Sequence, residues 1–589
     1  MTFQINTLPE KKELEPNNTS ANQKLPQFNK LPEKFLDQTV DLPVIFNGQV
    51  MPGDVDRFRF RARKGQKIVI ETYARQLVPY LADAVPGWFQ AVITLYDSKG
   101  KKLAFDDDYR FNPDPILYYK IPKTGEYEIE IRDAIYRGRS DFIYRIKISE
   151  EPFVTKVFPL GGQTGTTVNT KISGYNLPET NIIFNTNIGD KIIRETFLQS
   201  KNYKSNPITY AVNNLQECFE KENNNSTNHA QKIDFPKIIN GKIDKAGDID
   251  VFKIHGTAGE KIVAEVYARQ LNSPLNSLLK IIDENGKTLK WNDDYIVKDK
   301  FLHESTTGLI THHADSYLIT ELPETGTYYV QISDALNHGG EAYTYRLRIS
   351  NPQPDFILFS SPSTINIFPG STTSFTIYAI RKEGFEGPIK IIAKDKNVWV
   401  AGCVIPANTN KIRMTITARP TETEQIKQVQ LFGMARFNKQ EIVRKVISAD
   451  DTMQAFLYRQ LVPAEKMILF SKSGRRKIPI PLITNKIPVK IKSGSDVDLF
   501  FRVRGNPRTL KRFKVELDNP SEGISITNIN ITAGLLDIKL HVDKLPAGYK
   551  DNLIFSVSGG QPKKNKKGRS RRRNFKIDTF PAVPIEVVK

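Results

Sequence analysis

Two short groups of acidic and amide side chains could together hold a hard cation, and both groups occur twice. The first copy has a Glu-x-Glu-x-Asn run at Glu13–Asn17 and an Asp-x-Asp pair at Asp54–Asp56. Carboxylate and amide oxygens are the donors that Ca²⁺ prefers, and it takes roughly six to eight of them. The chain thus offers two candidate calcium sites, formed by Glu13, Glu15, Asn17, Asp54 and Asp56 and by Glu220, Glu222, Asn224, Asp248 and Asp250.

The Asp-x-Asp pair has a second interpretation as turn chemistry. Each pair directly follows a glycine, Gly53 or Gly247. A Gly-Asp dipeptide suits a hairpin turn, in which the second aspartate accepts backbone N–H bonds. Residues i and i+2 project to the same face of an extended strand, so two carboxylates can converge there. The calcium hypothesis therefore requires that the upstream run meets the pair in the folded chain.

The elements that must position these groups belong to a duplicated module rich in short strands. Residues 53–77 and 247–271 align without a gap at a constant spacing of 194. Arg57–Arg61 alternates polar and apolar residues, as a half-buried strand does. Turn residues separate the strands, and no convincing long amphipathic helix is found. The pattern predicts an all-β, multi-domain protein with two copies of one β-sandwich and three Ig-like β-sandwich domains.

The domain order follows from the positions of the two copies. Within 151–212, the pattern predicts strand, turn and strand, with the turn at Gly161–Gly162. The predicted division is a polar N-terminal segment (1–42), a first sandwich (43–150), an Ig-like domain (151–212), a second sandwich (213–350), an Ig-like domain (351–452), a connector (453–465) and a C-terminal Ig-like β domain (466–589).

The chain is basic, and its most concentrated charge lies near the C-terminus. Lysine and arginine number 85 against 65 aspartate and glutamate, a net charge of +20. We expect residues 563–573 to form an exposed, mobile hairpin loop that either is simply solvated or binds a polyanion electrostatically. No aromatic residue interrupts this run, so nucleic acid is not the expected partner. The candidate polyanion ligands are Lys563, Lys564, Lys566, Lys567, Arg569, Arg571, Arg572 and Arg573.

Recognisable catalytic motifs are missing from the sequence. It contains no Gly-x-Ser-x-Gly elbow, no His-Glu-x-x-His pair and no phosphate-binding loop, so no enzymatic activity is predicted. Two cysteines, Cys218 and Cys403, cannot build a disulfide framework. No window is apolar enough to span a membrane, and the first residues lack the form of a signal peptide. We expect no cofactor besides calcium.

The order of several short motifs resembles the bacterial pre-peptidase C-terminal domain. The matching residues are Glu13–Asn18, the Gly-Asp-x-Asp-x-Phe motif at Gly53–Phe58, and Thr124-Gly-x-Tyr127. The second copy repeats the order but lacks the proline of the first run. The region Val154–Leu177 resembles the Ig-like units that accompany this domain in large surface or secreted bacterial proteins.

The resemblance implies a fold and a role. It implies jelly-roll-like sandwiches that are appended to secreted proteases or built into exported proteins, and calcium ligands in the opening acidic segment. It further implies a non-catalytic binding or structural protein, secreted or at the cell surface. The partner would be an extracellular polysaccharide or protein, or another subunit of an exported assembly. An accessory region of a secreted peptidase or other hydrolase is the alternative, and a chain that truly starts at Met1 would remain cytoplasmic.

Overall fold

The all-β, multi-domain architecture predicted from the sequence is confirmed. The computed structural model describes residues 7–15, 17, 39–78, 89–189, 192–295, 315–395, 398–419, 425–438, 440–454, 458–472, 480–503, 513–532, 534–564 and 570–589, with the side chains of 452–460 and 560–577 outside that description. The described residues form two compact units, one built chiefly from residues 7–351 and the other chiefly from 352–589.

The first sandwich consists of two five-stranded sheets. Their orders are β1-β3-β10-β5-β8 and β2-β4-β9-β6-β7, in the strand numbering given next. The strands are β1 (Glu10–Lys12), β2 (Val40–Asp41), β3 (Val44–Gln49), β4 (Asp56–Ala62), β5 (Lys67–Tyr73), β6 (Ala91–Asp97), β7 (Lys102–Asp106), β8 (Ile116–Lys120), β9 (Gly125–Asp133) and β10 (Ile143–Ser149).

The core of this sandwich lies between the two sheets because each strand alternates its side chains. In β4, Asp56, Phe58, Phe60 and Ala62 point inward and are buried, while the intervening arginines point outward. Phe58 stacks on Phe46 of the opposite sheet with ring centroids 4.4 Å apart. The one acidic residue in the inward row, Asp56, is therefore placed at the edge of an apolar core.

The Ig-like domain is built from two three-stranded sheets, β11-β13-β14 and β12-β16-β15. The predicted turn at Gly161–Gly162 is wrong, because Gly161 begins a strand that pairs in parallel with Ala211. A Cβ atom on Gly161 would lie 1.9 Å from the Ala211 carbonyl oxygen, so glycine permits the close pairing. The strands are β11 (Phe153–Phe158), β12 (Gly161–Gln163), β13 (Val168–Tyr175), β14 (Asn181–Phe184), β15 (Ile193–Thr196) and β16 (Ile208–Asn213).

The second sandwich repeats the strand order of the first. Its sheets run β17-β19-β26-β21-β24 and β18-β20-β25-β22-β23. Two three-residue 3-10 helices, Thr227–His229 and Arg269–Leu271, lie among its strands. The strands are β17 (Glu217–Phe219), β18 (Gln231–Lys232), β19 (Lys237–Lys242), β20 (Ile249–Gly256), β21 (Lys261–Tyr267), β22 (Ser277–Asp283), β23 (Thr288–Asn292), β24 (Tyr317–Glu321), β25 (Gly326–Asp334) and β26 (Thr344–Ser350).

The second compact unit is also built from β-sheets. Its first part contains a nine-stranded sheet, β31-β33-β29-β27-β36-β35-β30-β32 with β37 paired to β36, and the sheet β28-β38-β34. The strands are β27 (Asp355–Ser361), β28 (Thr364–Ile367), β29 (Thr372–Lys382), β30 (Ile389–Ala393), β31 (Trp399–Ala401), β32 (Val404–Ile405), β33 (Lys411–Thr417), β34 (Gln425–Val429), β35 (Leu431–Phe437), β36 (Gln440–Gln454), β37 (Tyr458–Ala464) and β38 (Met467–Ser471).

The C-terminal part of this unit has three sheets, β39-β41-β44-β43, β40-β48-β45 and β42-β46-β47. Apolar residues from these sheets, including Leu499, Phe555 and Val583, form one core cluster. The strands are β39 (Leu482–Ile483), β40 (Val489–Lys492), β41 (Ser495–Arg502), β42 (Lys514–Leu517), β43 (Ile524–Thr532), β44 (Leu535–Val542), β45 (Lys550–Leu553), β46 (Phe555–Lys564), β47 (Ser570–Thr579) and β48 (Val583–Val588).

A buried aspartate explains why each sandwich repeats Tyr-Ala-Arg-Gln-Leu at the end of a core strand. The Asp114 carboxylate accepts three consecutive backbone N–H bonds, from Ala74 at 3.1 Å, Arg75 at 2.8 Å and Gln76 at 3.0 Å. Asp315 does the same for residues 268–270. The recurring segment is therefore a backbone turn that is held by a distant carboxylate, which is a structural role.

We predict that Asp114→Ala destabilises the first sandwich around β5. The substitution removes the acceptor of three largely buried N–H groups, and each unsatisfied donor costs about 1–3 kcal/mol. With partial rescue by water, a local loss of about 3 kcal/mol corresponds to roughly 100-fold faster amide exchange in residues 67–77, measurable by hydrogen–deuterium exchange. The control Asp107→Ala removes an exposed carboxylate and should leave that exchange unchanged. Equal exchange in both variants would contradict the assignment.

Candidate metal centres

A parallel strand pairing brings each Glu-x-Glu-x-Asn run to the edge of its sandwich core. In the first copy, β1 lies parallel to β3, with Glu10 opposite Ile45. The pairing continues past the strand end, where the Glu13 N–H donates to the Asn47 carbonyl at 2.9 Å. The second copy repeats the contact, and the Glu220 N–H donates to the Asn240 carbonyl at 3.0 Å. The run therefore enters the fold as an edge strand.

The structure brings the upstream run and the Asp-x-Asp pair together in both copies. One carboxylate oxygen from each of Glu13, Glu15 and Asp56 lies within 4.8 Å of the others. In the second copy the same holds for one oxygen each of Glu222, Asp248 and Asp250. The second glutamate and the second aspartate are thus shared by both clusters, and the third member differs.

The asparagine of each run lies beside its cluster. The Asn17 N–H donates to Glu15 Oε2 at 3.0 Å, and the Asn224 N–H donates to Glu222 Oε2 at 3.3 Å. Asn224 is fully buried, and its carbonyl accepts the Val251 N–H at 2.9 Å, next to Asp250. The asparagine therefore packs against the strand that carries the second aspartate.

The two aspartates of each pair have different roles. Asp54 accepts the backbone N–H groups of Met51 and Val55 at 3.2 and 3.1 Å, and Asp248 accepts that of Asp244 at 2.8 Å. The first aspartate, not the second, therefore forms the turn. The second aspartate accepts a tyrosine hydroxyl instead, from Tyr144 in the first copy, at 2.6 Å.

The tyrosine joins the second aspartate to the first glutamate. In the second copy the Tyr345 hydroxyl lies 2.6 Å from Asp250 Oδ2 and 3.0 Å from Glu220 Oε2. The first glutamate is anchored further by a backbone N–H, which Lys242 donates to Glu220 at 2.8 Å. In the first copy Gln49 donates likewise to Glu13 at 2.9 Å. These bonds hold the two carboxylates side by side.

Several polar atoms in these clusters are buried without a hydrogen-bond partner. Asp56 and Asp250 are fully buried, and Oδ1 of each is unsatisfied among the described residues. Among the described residues, Oδ1 of Asp248 and both side-chain amide atoms of Asn17 and Asn224 are also buried without a hydrogen-bond partner. Buried polar atoms are almost always paired, so the recurrence at equivalent positions points to a missing ligand.

Burial and mutual repulsion raise the pKa values of these carboxyl groups. Loss of hydration, together with repulsion from the neighbouring carboxylates and despite the Tyr144 bond, raises the pKa of Asp56 to about 8. Burial raises the pKa of Asp250 to about 9, with repulsion from Glu220, and that of Glu220 to about 7. Burial also raises the pKa values of Glu13 and Glu15.

A glycine in each copy provides the space for the first glutamate. A Cβ atom on Gly48 would lie 2.1 Å from both Glu13 Oε2 and the Tyr144 hydroxyl oxygen. A Cβ atom on Gly241 would lie 2.2 Å from Glu220 Oε2. Any larger residue would therefore displace the glutamate carboxylate.

The donor set fits a hard divalent cation. The charged groups that act on Asp56 are Asp54, Glu13 and Glu15, all of them carboxylates. A cation would remove the repulsion and would bind the oxygens that lack partners. Carboxylate and amide oxygens match Ca²⁺, which accepts a flexible geometry with roughly six to eight ligands. Of the ten residues that the sequence indicated, the structure brings together Glu13, Glu15 and Asp56 in the first copy and Glu222, Asp248 and Asp250 in the second, and these would hold the cation.

Sequence reasoning missed the tyrosines and the glycines of these clusters. Tyr144 and Tyr345 each precede an arginine in equivalent strands, 201 residues apart, so comparison of the two copies could have found them. Gly48 and Gly241 recur in the same way. Their roles depend on contacts between distant strands, which a comparison of the copies does not show.

The described backbone of the basic C-terminal segment is strand. Lys563 and Lys564 belong to β46, and residues 570–573 belong to β47. Lys563 pairs with Arg571 in this ladder. The side chains of this segment, and residues 565–569, lie outside the described residues. Polyanion binding there stays a prediction.

Among the described residues, no helix has the length and apolar character needed to cross a bilayer. No family model matches the chain.

One curated protein, described as a probable subtilase-type serine protease of Deinococcus radiodurans, is 33% identical over 90 residues. The match covers 15% of this chain and 10% of that protein. The likeness is therefore local and leaves most of both chains unmatched.

We predict that without calcium the chain loses stability as the pH rises. Unfolded aspartates release their protons near pH 4, whereas Asp56 and Asp250 keep theirs to about pH 8 and 9. The folded state binds more protons in this window, so the free energy of unfolding falls as the pH rises through it. The melting temperature in a chelator should therefore drop between about pH 5 and pH 9.

Saturating calcium should flatten this dependence because the cation stabilises the ionised carboxylates. The double variant Asp56→Asn/Asp250→Asn should likewise show a much smaller slope in chelator. Asp234→Asn is the control, since Asp234 is exposed and its change should leave the slope intact. A melting temperature that does not fall with pH in chelator would contradict the assignment.

We predict that Gly48→Ala and Gly241→Ala each abolish one calcium site. The added methyl group displaces Glu13 or Glu220, so the affinity of that site should fall by tenfold or more, about 1.4 kcal/mol. Equilibrium dialysis should then give two ions per wild-type chain and one per variant. Gly125→Ala and Gly326→Ala are the controls, since a Cβ atom at either position meets nothing within 4 Å. Unchanged stoichiometry in the first pair would be the contrary result.

Proposed function

We propose that the chain is a non-catalytic binding or structural protein of the bacterial exterior, with one calcium ion in each sandwich. The observation that carries the proposal is the recurrence in both copies of a carboxylate cluster around a buried aspartate, whose Oδ1 (of Asp56 or Asp250) is unsatisfied among the described residues. A buried aspartate beside other carboxylates lowers the stability of the fold unless its charge is neutralised. Its presence in both copies supports a cation in each.

The resemblance to the pre-peptidase C-terminal domain supports this assignment. The cluster contains both glutamates of the motif, Glu13 and Glu15. The asparagine of the motif, Asn17, lies beside the cluster. Millimolar calcium is available outside cells, where sites of modest affinity are occupied. In this proposal, calcium loading seats the N-terminal strand of each sandwich, and the folded sandwiches present their loops to an extracellular polymer or partner protein.

A second candidate function is that of an accessory region of a secreted peptidase. The local similarity to a probable subtilase-type serine protease favours it. In that case the chain would act with a protease domain, and its sandwiches would bind the substrate polymer or assist export. Both candidates assign the described sandwiches a binding role and no chemical step.

We predict that the full chain sediments with an insoluble extracellular polymer in a calcium-dependent way and hydrolyses no protein. A panel of insoluble polysaccharides and a fibrous protein should retain it at about 1 mM Ca²⁺, where a site with a Kd near 10 μM adds about 2.7 kcal/mol of stability. Chelation, or Asp56→Asn/Asp250→Asn, should reduce retention, and Asp234→Asn should not. Failure to bind any member of the panel, or release of peptides from casein, would refute the proposal.

A further inference from the structure

An exposed aromatic side chain recurs at the same place in both sandwiches. Phe105 lies on β7 and Trp291 on β23, the outermost strands of equivalent sheets, and each is 58% exposed. Each sits opposite an outward-facing residue of the neighbouring strand, Thr94 and Lys280 respectively. A large ring left mostly exposed at the same place in both copies is not explained by core packing, and an exposed ring can stack on a ligand.

The outer face of the second sandwich continues inward from Trp291 as a row of polar side chains. Trp291 pairs with Lys280 on β22, and Lys280 with Gln331 on β25. The next row along β25 holds Tyr329, opposite Lys253 on β20. Lys253 is exposed, and Lys280, Gln331 and Tyr329 are half-buried. The result is a flat surface with one exposed ring, two ammonium groups and an amide.

This surface carries an excess of positive charge, with Asp293 just after β23 and with Asp234 paired to Lys232 of β18. The outward positions of β20, β22, β23 and β25 contain no acidic residue. Among the residues that the structure describes, no carboxylate forms an ion pair with Lys253 or Lys280. The electrostatic field of the face therefore favours an anionic ligand.

The equivalent face of the first sandwich is neutralised internally. Arg57 forms an ion pair with Glu128 at 2.8 Å and another with Glu130. The Lys102 ammonium lies 3.7 Å from the centre of the Phe105 ring and covers it. The first sandwich thus pairs its charges on this face and places a lysine over its ring, whereas Lys253 and Lys280 of the second form no ion pair with a described residue.

We propose that the outer face of the sheet β18-β20-β25-β22-β23 binds an acidic polysaccharide. The apolar face of a pyranose ring stacks on Trp291, and the carboxylate or sulfate groups of the chain pair with Lys280 and Lys253. Gln331 lies between them and hydrogen-bonds to sugar hydroxyls. One exposed ring per face suits a sugar polymer better than single-stranded nucleic acid, which stacks successive bases on several rings.

The inference deepens the proposed polymer-binding function and rests on it, but it uses a surface separate from the carboxylate clusters. It predicts the chemical class of the polymer and the copy that binds it. Since the ionic part of the interaction is screened, binding should weaken steeply as salt is raised.

The test is affinity electrophoresis or titration calorimetry of the full chain with polygalacturonate. All variants carry glutamine at the eight basic positions of 563–573, so that the C-terminal segment contributes nothing. Trp291→Ala and Lys280→Gln should each weaken binding by tenfold or more. Phe105→Ala, the matched change in the first sandwich, should change it less than twofold. Fully methyl-esterified polygalacturonate, with the same backbone and no charge, should bind at least tenfold more weakly than the acid form.

Each contrary outcome has a distinct meaning. The inference is overturned if Trp291→Ala binds as tightly as the chain that carries the eight glutamines alone, or if that chain binds the esterified polymer equally well. Oligo(dT) that binds more tightly than polygalacturonate and shows the same variant pattern also overturns it, because the ligand is then a nucleic acid. If the chain binds only neutral polymers or fibrous protein, this inference is wrong and the proposed function stands. If the chain binds no polymer, both are wrong. The unchanged calcium-dependent melting temperature of the variants verifies their folding.

Discussion

The structure of each sandwich depends on one aspartate carboxylate, of Asp56 or Asp250, that is buried beside other carboxylates. Asp56 and Asp250 lie in the inward-facing row of a core strand, where neighbouring positions hold phenylalanine and isoleucine. Removing an ionised carboxylate from water costs several kcal/mol, and nearby like charges increase the cost. Such a group either keeps its proton or takes a cation. The parallel edge strand supplies the neighbouring glutamate, and the tyrosine hydroxyl donates a hydrogen bond to the aspartate. The glycine leaves space for the glutamate carboxylate.

Because the first glutamate is supplied by the N-terminal edge strand, neutralisation of the cluster is coupled to how that strand is held. Glu13 is bound by the Gln49 N–H on β3 and adjoins Asp56 on β4, which belongs to the other sheet. A cation in the cluster would tie the edge strand to both sheets at once. The same coupling recurs with Glu220 and Asp250, so the two sandwiches share one mechanism of closure.

The two copies have kept their interior and changed their exterior. The tyrosine, glutamates and second aspartate recur with the same contacts, because each depends on the others and a single substitution leaves a buried group unsatisfied. Outward positions are under no such constraint. Arg59 and Glu128 form an ion pair in the first sandwich, whereas Lys253 and Tyr329 occupy those positions in the second. The exterior is therefore where the copies can differ in what they bind.

Much of the fold followed from local patterns, whose physical basis lies within a strand or between a few neighbours. Strand alternation and turn residues indicated the all-β sandwiches. The errors had two causes. Gly161 looked like a turn residue but pairs with Ala211, which lies far along the chain. Lys563 looked like part of a loop but pairs with Arg571 in the same basic run, where the charged residues show no apolar alternation to indicate a strand.

By itself, the sequence determined the duplication, the all-β class and the residue types that could hold a hard cation, because composition and period are local properties. Only the tertiary structure decided which aspartate forms the turn, which oxygens are left without partners, and that Tyr144 and Gly48 complete the cluster. It also decided that Trp291 faces water beside Lys280. These facts depend on burial and on strand register, which are set by contacts between residues far apart in the chain.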